Sequence, residues 1–297
     1  MMTGSWEDPC RDSRLVQWLR GESSIEIFDG VPATSSWFAT LQRHFETFLD
    51  YGGMPAIFDP ELGHEERLSW LKDYQRTYLE RDVTDLASLR DLERFVVAQK
   101  VIAARTGRVV NFSDLARSAG IAPATARRFP RYLELSYQVV VLPAFFRNVE
   151  KRLSKAPKVH FLDPGILRAL LNRSGELSGE EFESAVVAEI YKQVRTAGLA
   201  INAYHLRTYD GREVDLLLEL ESGFVAFEIK GDPARGASRR SLIPRTQRDL
   251  GQTPPGRLRS FIRSRRALHR RADPRASRGV GPWPSRAKSL NHNRAVG

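Results

Sequence analysis

The chain has 297 residues and a single cysteine, Cys10. One thiol excludes an internal disulfide and a thiolate metal cluster, and it fits a reducing cytoplasm. No apolar run approaches the ~18 residues of a membrane-spanning helix, so no membrane partner is expected. The first ten residues, Met1 to Cys10, lack the apolar core of a secretion signal. No Gly-x-x-x-x-Gly-Lys-Ser/Thr loop occurs, which argues against ATP hydrolysis by this chain. Lysine is nearly missing from the last stretch: Gly231 to Gly297 holds 17 Lys+Arg, of which Lys288 is the one lysine, against 3 Asp+Glu.

That stretch carries a net charge of +14, so the preceding residues carry −4 of the total +10. The basic character is a tail and not a domain surface. From about Ser241 the tail is rich in arginine, proline, glycine and serine and loses periodicity, as a disordered segment does. It reads either as a nucleic-acid-binding arm or as an out-of-frame extension of a GC-rich gene, and the composition favours the second.

What is present is globular: 41% hydrophobic and 28% charged residues, enough chain for two domains. The densest signal is Glu213 to Lys230, two strands joined at Glu221-Ser222-Gly223. Val214, Leu216, Leu218 and Leu220 alternate along the first strand, and Val225, Phe227 and Ile229 along the second. With a two-residue loop, Asp215 lies opposite Glu228 and Glu213 opposite Lys230. The apolar residues then share one face and Asp215, Glu228 and Lys230 the other. Asp215 and Glu228 are hard oxygen ligands suited to Mg²⁺, and Lys230 suits an attacking water or phosphate charge. The competing reading is a solvated hairpin face with a cross-strand ion pair.

Along the chain, Leu15, Val16, Trp18 and Leu19 predict a short helix, and Ile25 to Phe28 an extended piece. Trp37, Leu41, Phe45 and Phe48 predict a helix ending at the Gly52-Gly53-Met54-Pro55 turn. A longer helix contains Leu68, Leu71, Tyr74, Tyr78 and Leu79 and runs into Glu80-Arg81-Asp82-Val83. Another spans about Leu92 to Thr106. Asn111 to Phe129 reads helix, turn, helix, with the turn at Gly120 and Pro123 opening the second helix. Thr125, Arg127, Arg128 and Arg131 point outward, toward a DNA groove and its phosphates or toward a protein. Pro130 is expected to bend or shorten the second helix. A strand from Tyr137 to Leu142 follows, as a wing would.

Lys151 to Lys158 reads as a linker to Val159-His-Phe-Leu-Asp-Pro-Gly and a helix through Leu171. His160 and His205 read as isolated, packed or solvated histidines. Ser178-Gly-Glu-Glu is a capping box for a helix reaching about Thr196, with Glu183, Val187, Ile190 and Val194 on one face. Glu183 either points over the following sheet or is an ordinary acid near the helix start. A strand within Ala200 to Leu206 precedes the hairpin.

Several stretches resemble the C-terminal portion of a prokaryotic family of AAA-type ATPases, in which a nucleotide-binding domain precedes a domain of unknown function. They are Tyr51 to Pro55, Tyr78 to Val83, Phe112 to Leu135, Lys155 to Gly165, Phe182-Glu183, Glu213 to Asp215 and Glu228 to Lys230. The resemblance implies an α+β / α/β chain: a helical region with a winged helix-turn-helix, then a restriction-endonuclease-like (PD-(D/E)XK) mixed sheet with flanking helices. The expected divisions are residues 1–44, a remnant of an ATPase domain; 45–106, helical; 107–172, winged helix; 173–240, nuclease-like; and 241–297, the basic tail. In nucleases of this fold the corresponding residues, here Glu183, Asp215, Glu228 and Lys230, form the catalytic site, with Asp215 and Glu228 on Mg²⁺. ATP is expected only in full-length relatives. Such relatives also continue past Glu-x-Lys with further helix and strand, so the sheet here is expected to lack an edge.

The functional expectation is a non-catalytic or degenerate module that contacts nucleic acid, a protein or an ATPase domain. The alternative is a Mg²⁺-dependent DNA phosphodiesterase positioned by the winged helix. A third reading is an inactive, truncated remnant.

Overall fold

A computed structural model describes residues 13–22, 36–78, 92–146, 148, 150, 155–207, 213–221, 223–230 and 241–243. All of them lie within one compact unit, residues 1–267. Among the described residues the architecture is mixed α/β, with eight α-helices, one 3-10 turn and seven strands.

The early helices form where periodicity places them. α1 (Arg14–Arg20) buries Leu15, Val16, Trp18 and Leu19. α2 (Ser36–Tyr51) ends at the Gly52-Gly53 turn, followed by the 3-10 turn Pro55–Phe58. α3 (His64–Tyr78) and α4 (Leu92–Ala103) come next. The extended piece expected at 25–28, the stretch 79–83 and the tail after 243 lie outside the described residues.

β1 (Arg108–Val109) leads into α5 (Phe112–Ala119), the Gly120 turn at φ +61°, and α6 (Pro123–Leu135). Asn111 caps α5 by accepting the Ser113 and Asp114 N–H groups. α6 does not stop at Pro130. It continues to Leu135 with Pro130 buried inside it. Phe129 and Leu133 flank the proline in the core, and their burial carries the helix across the missing N–H. The next strand, β2 (Val139–Leu142), starts later than expected. Tyr137 stays in the preceding turn at φ +57° and is 85% exposed.

β3 (Lys158–Phe161) begins on a residue expected in a linker. Of that linker, residues 151–154 lie outside the described residues. β3 is the central strand of an antiparallel sheet ordered β1-β3-β2. All four of its residues are buried. Val159 and Phe161 face a core shared with Phe95, Phe129 and Leu133. Lys158 and His160 point the other way.

α7 (Pro164–Leu171) and α8 (Gly179–Thr196) follow. The capping box of α8 is complete: Ser178 Oγ accepts the Glu181 N–H, and Glu181 Oε2 accepts the Ser178 N–H at 2.8 Å. β4 (Asn202–Arg207), β5 (Glu213–Leu220), β6 (Gly223–Lys230) and β7 (Ser241–Ile243) form a second sheet in that order. It was expected to be mixed, yet all its strand pairs are antiparallel. The short β4–β5 and β5–β6 connections permit hairpins and not crossovers. A parallel bridge, Ala144 to His205, links the end of β2 to β4.

The β5–β6 loop has the expected two residues, because Leu220 pairs with Gly223. Its faces differ from expectation, since apolar side chains occupy both. Leu216, Leu218, Val225, Phe227 and Ile229 pack under α8 with Val187, Ile190 and Val194. Val214, Leu217, Phe224 and Ala226 pack on the opposite side with Phe145, Tyr204 and Leu206. Val214 leaves its expected face because β5 is bulged against β4. Tyr204 pairs with Leu217 and Leu206 with Val214, so Asp215 and Leu216 together stand across from His205. A bulge redirects side chains at the point where the extra residue enters.

Two glycine motifs meet in one contact. Asp163 Oδ2 accepts the Gly53 N–H at 2.7 Å, while its Oδ1 caps α7 through the Ile166 N–H at 2.9 Å. A Cβ on Gly165 would overlap the Tyr51 carbonyl oxygen, and one on Gly52, at φ +86°, would overlap the Asp163 carboxylate. Gly175, at φ +90°, has nothing within 4 Å of such a Cβ. Gly165→Ala is therefore expected to lower the unfolding free energy by about 3 kcal/mol, and Gly175→Ala by about 1 kcal/mol from backbone strain alone. Urea unfolding checks the order; equal losses would contradict the close packing.

Candidate functional site

The acids singled out in the sequence lie around the meeting point of β3, α8 and the second sheet. Glu183 projects from the second turn of α8, and Asp215 from the β5 bulge. Between them stands Lys158. Its Nζ donates to Glu183 Oε1 at 2.5 Å and lies 3.6 Å from Asp215 Oδ1. The side chains of Lys158, Glu183 and Asp215 are 9%, 13% and 11% exposed, so the ion cluster is largely withdrawn from bulk water. Asp215 Oδ2 accepts the Ile229 N–H at 2.7 Å. That bond ties the acid to β6 just beyond the paired residues Leu216 and Phe227.

Glu228 is buried and pairs with Ile243 of β7. It follows Phe224 and Ala226 in the alternation of β6, on the face turned from α8. Asp215, at the bulge, is turned toward α8. Lys230 ends β6 opposite Ser241, and its side chain lies outside the described residues.

Two histidines complete the cluster. His160 is fully buried on β3, with Nδ1 3.0 Å from Ser184 Oγ. Ser184 Oγ is 2.7 Å from Thr106 Oγ1, which accepts the Phe161 N–H. His160 Nε2 lies 3.9 Å from Glu183 Oε1 without a hydrogen bond. His205 faces the bulge from β4, and its Nε2 is also buried without a hydrogen-bond partner. Burial, then the Lys158 charge, then His205 hold the His160 pKa well below its ordinary value. Burial and Lys158 push His205 down to about 4, against a bond to the Ala156 backbone. Both imidazoles are thus neutral at pH 7.

These residues were less legible than the acids. Lys158 reads as the end of a linker and His160 as an isolated, packed or solvated histidine, although the alternation of Lys-Val-His-Phe places both on one face of a strand. The structure covers that face with α8. The signal available was the buried-looking neighbourhood: Lys158 and His160 sit between apolar residues immediately before the Asp163 cap of α7.

The donors do not suit Mg²⁺ as they stand. Glu183 Oε1 and Asp215 Oδ1 face an ammonium, and Asp215 Oδ2 is occupied by a backbone N–H. Among the described residues no group of three or more His, Cys, Asp or Glu side chains is arranged to hold a metal ion.

On α6, Arg127, Arg128 and Arg131 are exposed and Thr125 is half-buried. Arg127 stacks over the Phe112 ring at 5.2 Å and Arg128 over Tyr132 at 5.8 Å. Arg131 donates to Glu134 at 2.6 Å, which partly neutralises it. A separate cleft of about 310 Å³ lies between α2, α3 and the α7–α8 turn. Its two arginines, Arg168 and Arg173, are paired with Asp50 at 3.3 Å and Glu181 at 2.8 Å.

Burial, then the Asp215 charge, lift the Glu183 carboxyl from 4.5 to about 7, against the pull of Lys158. A carboxyl raised on folding binds its proton more tightly in the folded state. Its stabilising contribution is full below pH 4.5 and is lost as pH rises to about 7. The depressed histidines act oppositely, and their contribution is lost as pH falls below 6.5. Glu183→Gln removes the first effect, together with the charge that pairs with Lys158. Its stability relative to wild type is expected to rise by roughly 3 kcal/mol between about pH 4.5 and pH 7.5. Denaturant unfolding at both pH values checks this, and an unchanged difference would overturn the shift.

No helix among the described residues is long and apolar enough to cross a membrane. No solved structure matches the chain significantly. The uncharacterized proteins Mb2031c of Mycobacterium bovis and Rv2008c of Mycobacterium tuberculosis are each 31% identical to it over 202 residues. Those alignments cover 65% of this chain and 44% of each relative, so the chain spans less than half the length of the curated relatives it matches. Residues 42–177 match the family model described as domain of unknown function DUF8612, and residues 178–268 the one described as domain of unknown function DUF4143. The join between the two matched regions falls at the Ser178 cap of α8, and the Lys158 contacts cross it.

Proposed function

We propose that this chain is a non-catalytic interaction module that holds duplex DNA by its phosphates. The observation that carries the first half is the largely buried Lys158–Glu183–Asp215 cluster. Phosphodiester hydrolysis on a metal needs carboxylate oxygens open to cation, water and phosphate. Here the oxygens meet an internal ammonium and a backbone N–H, under α8. The PD-(D/E)XK resemblance then concerns the framework and not the reaction.

The DNA-facing half rests on α6, read as the second helix of a winged helix-turn-helix. Arg127 and Arg128 are exposed, and each guanidinium carbon lies over an aromatic ring, 5.2 Å from the Phe112 centre and 5.8 Å from the Tyr132 centre. The stacking fixes the cation while leaving N–H edges for phosphate oxygens. Resemblance to the C-terminal portion of AAA-type ATPases supports a role beside a nucleotide-hydrolysing domain, as does the match to DUF4143. In that setting the module would position a partner while the motor domain supplies work.

Anisotropy titration of a labelled duplex tests the reading on the full chain. Arg127→Glu with Arg128→Glu should weaken binding by at least about tenfold and reduce the salt slope by about 2. The arginine-rich tail contributes the same background to both proteins. Unchanged affinity would remove α6 as the contact. In Mg²⁺ the wild type should leave the duplex intact, and cleavage abolished by Asp215→Asn would make the site a nuclease after all.

A further inference from the structure

We propose that Tyr137 stacks on an unpaired DNA base next to the duplex held by α6. The proposal rests on the reading of α6 as the DNA contact, and it names the nucleic-acid structure that this face prefers.

Two independent features set Tyr137 apart. Its side chain is 85% exposed, against 47% for Val109, the next of the exposed large hydrophobic residues among those described. Its backbone lies at φ +57°, in the left-handed region. The other described non-glycine residue there is Asn172, the cap of α7. Asparagine tolerates that region, whereas a bulky side chain is an outlier in it. No inward packing of the ring compensates for the strain.

The turn that carries the ring is fixed on both sides. The Tyr137 N–H donates to the Glu134 carbonyl at 3.1 Å, and the Gln138 N–H to the Leu133 carbonyl at 2.9 Å. The backbone carbonyl of Gln138 accepts the Leu162 N–H at 2.9 Å. Its buried side chain accepts from Gln99 Nε2 at 2.5 Å. The ring therefore enters solvent from an ordered backbone, and a partner need not order the turn on binding.

Its place on the fold selects the partner. Arg127, Arg128, Arg131 and Leu135 recur at helical spacing along the exposed stripe of α6, and Tyr137 lies in the turn that ends the helix. Arg127 to Leu135 covers about 12 Å of helix axis, roughly three to four nucleotide steps at ~3.4 Å each. Arginines on the phosphates of a duplex thus put an aromatic ring a few nucleotides further along. Inside a paired duplex both faces of a base are already stacked, and opening that stack is costly. An unpaired base at an overhang or junction offers a free face. Stacking on it does not depend on base identity.

Anisotropy titration of the full chain tests this with a labelled duplex bearing a short single-stranded overhang, of either polarity. The control is the same duplex with abasic overhang nucleotides, which keeps every phosphate and removes the bases. Wild type should bind the overhang with bases about tenfold tighter for at least one polarity. Tyr137→Phe should keep that preference. Tyr137→Leu keeps bulk but has no ring, and should cut the preference to within about twofold. Tyr137→Gly, which relieves the left-handed backbone, should do the same and covers the case in which Tyr137→Leu fails to fold. A wild type without the preference overturns the proposal. So does a preference that survives the loss of the ring, since the bases would then be met elsewhere, as by the arginine-rich tail. The α6 reading fails separately: unchanged blunt-duplex affinity in Arg127→Glu with Arg128→Glu overturns it, and this proposal with it. If that variant weakens blunt-duplex binding while wild type ignores the overhang bases, the stacking role alone is overturned.

Discussion

A buried ammonium needs buried carboxylates, and that requirement holds the two halves of this chain in register. Lys158 lies on the central strand of the first sheet. Glu183 and Asp215 lie on the long helix and the bulged strand that follow. Deleting one member of a buried ion cluster is costly, whereas the complete cluster is tolerated. The neighbouring contacts obey the same logic. The histidines stay neutral beside the ammonium, and the spare oxygen of Asp215 takes a backbone N–H.

The β1-β3-β2 sheet is the partition on which this arrangement depends. Val159 and Phe161 supply one core through one face, while Lys158 and His160 supply the polar seam through the other. Helices α4 to α7 close the first core, and α8 with the β4–β7 sheet closes the second. The Gly52-Gly53 turn and the Asp163 cap brace the same partition, since Asp163 follows β3 directly. A strand with a charged and a neutral polar residue on its inner face can be buried only because α8 brings Glu183 and Ser184 to meet them.

The seam also bears on chemistry. An ion cluster that is complete within the protein offers little to a substrate phosphate. Among the described residues, the α6 face presents Arg127 and Arg128, each near an aromatic ring and with no acidic partner. The proposed reading as a recognition module rather than a hydrolase rests on this contrast between a paired acid cluster and an exposed basic helix.

Periodicity and local punctuation were enough to locate most elements. The stripe from Leu15 to Leu19, the α5–Gly120–α6 turn, the Ser178 capping box and the two-residue β5–β6 loop each follow from contacts within a few residues of sequence. Glu183 and Asp215 were likewise visible as acids at the edge of apolar patterns. The rest depended on partners distant in sequence. Pro130 stays helical because a core stabilises the helix around it. Val214 changes face because β4 imposes a bulge, which the β5–β6 hairpin alone does not encode. Lys158 looked like the end of a linker because alternation cannot tell a wet polar face from one covered by a helix 20-odd residues later. Sequence by itself determined the elements and the acids, through local hydrogen bonding and hydrophobic spacing. Tertiary packing alone decided which cation those acids hold, because burial and charge pairing are set by which distant surfaces meet.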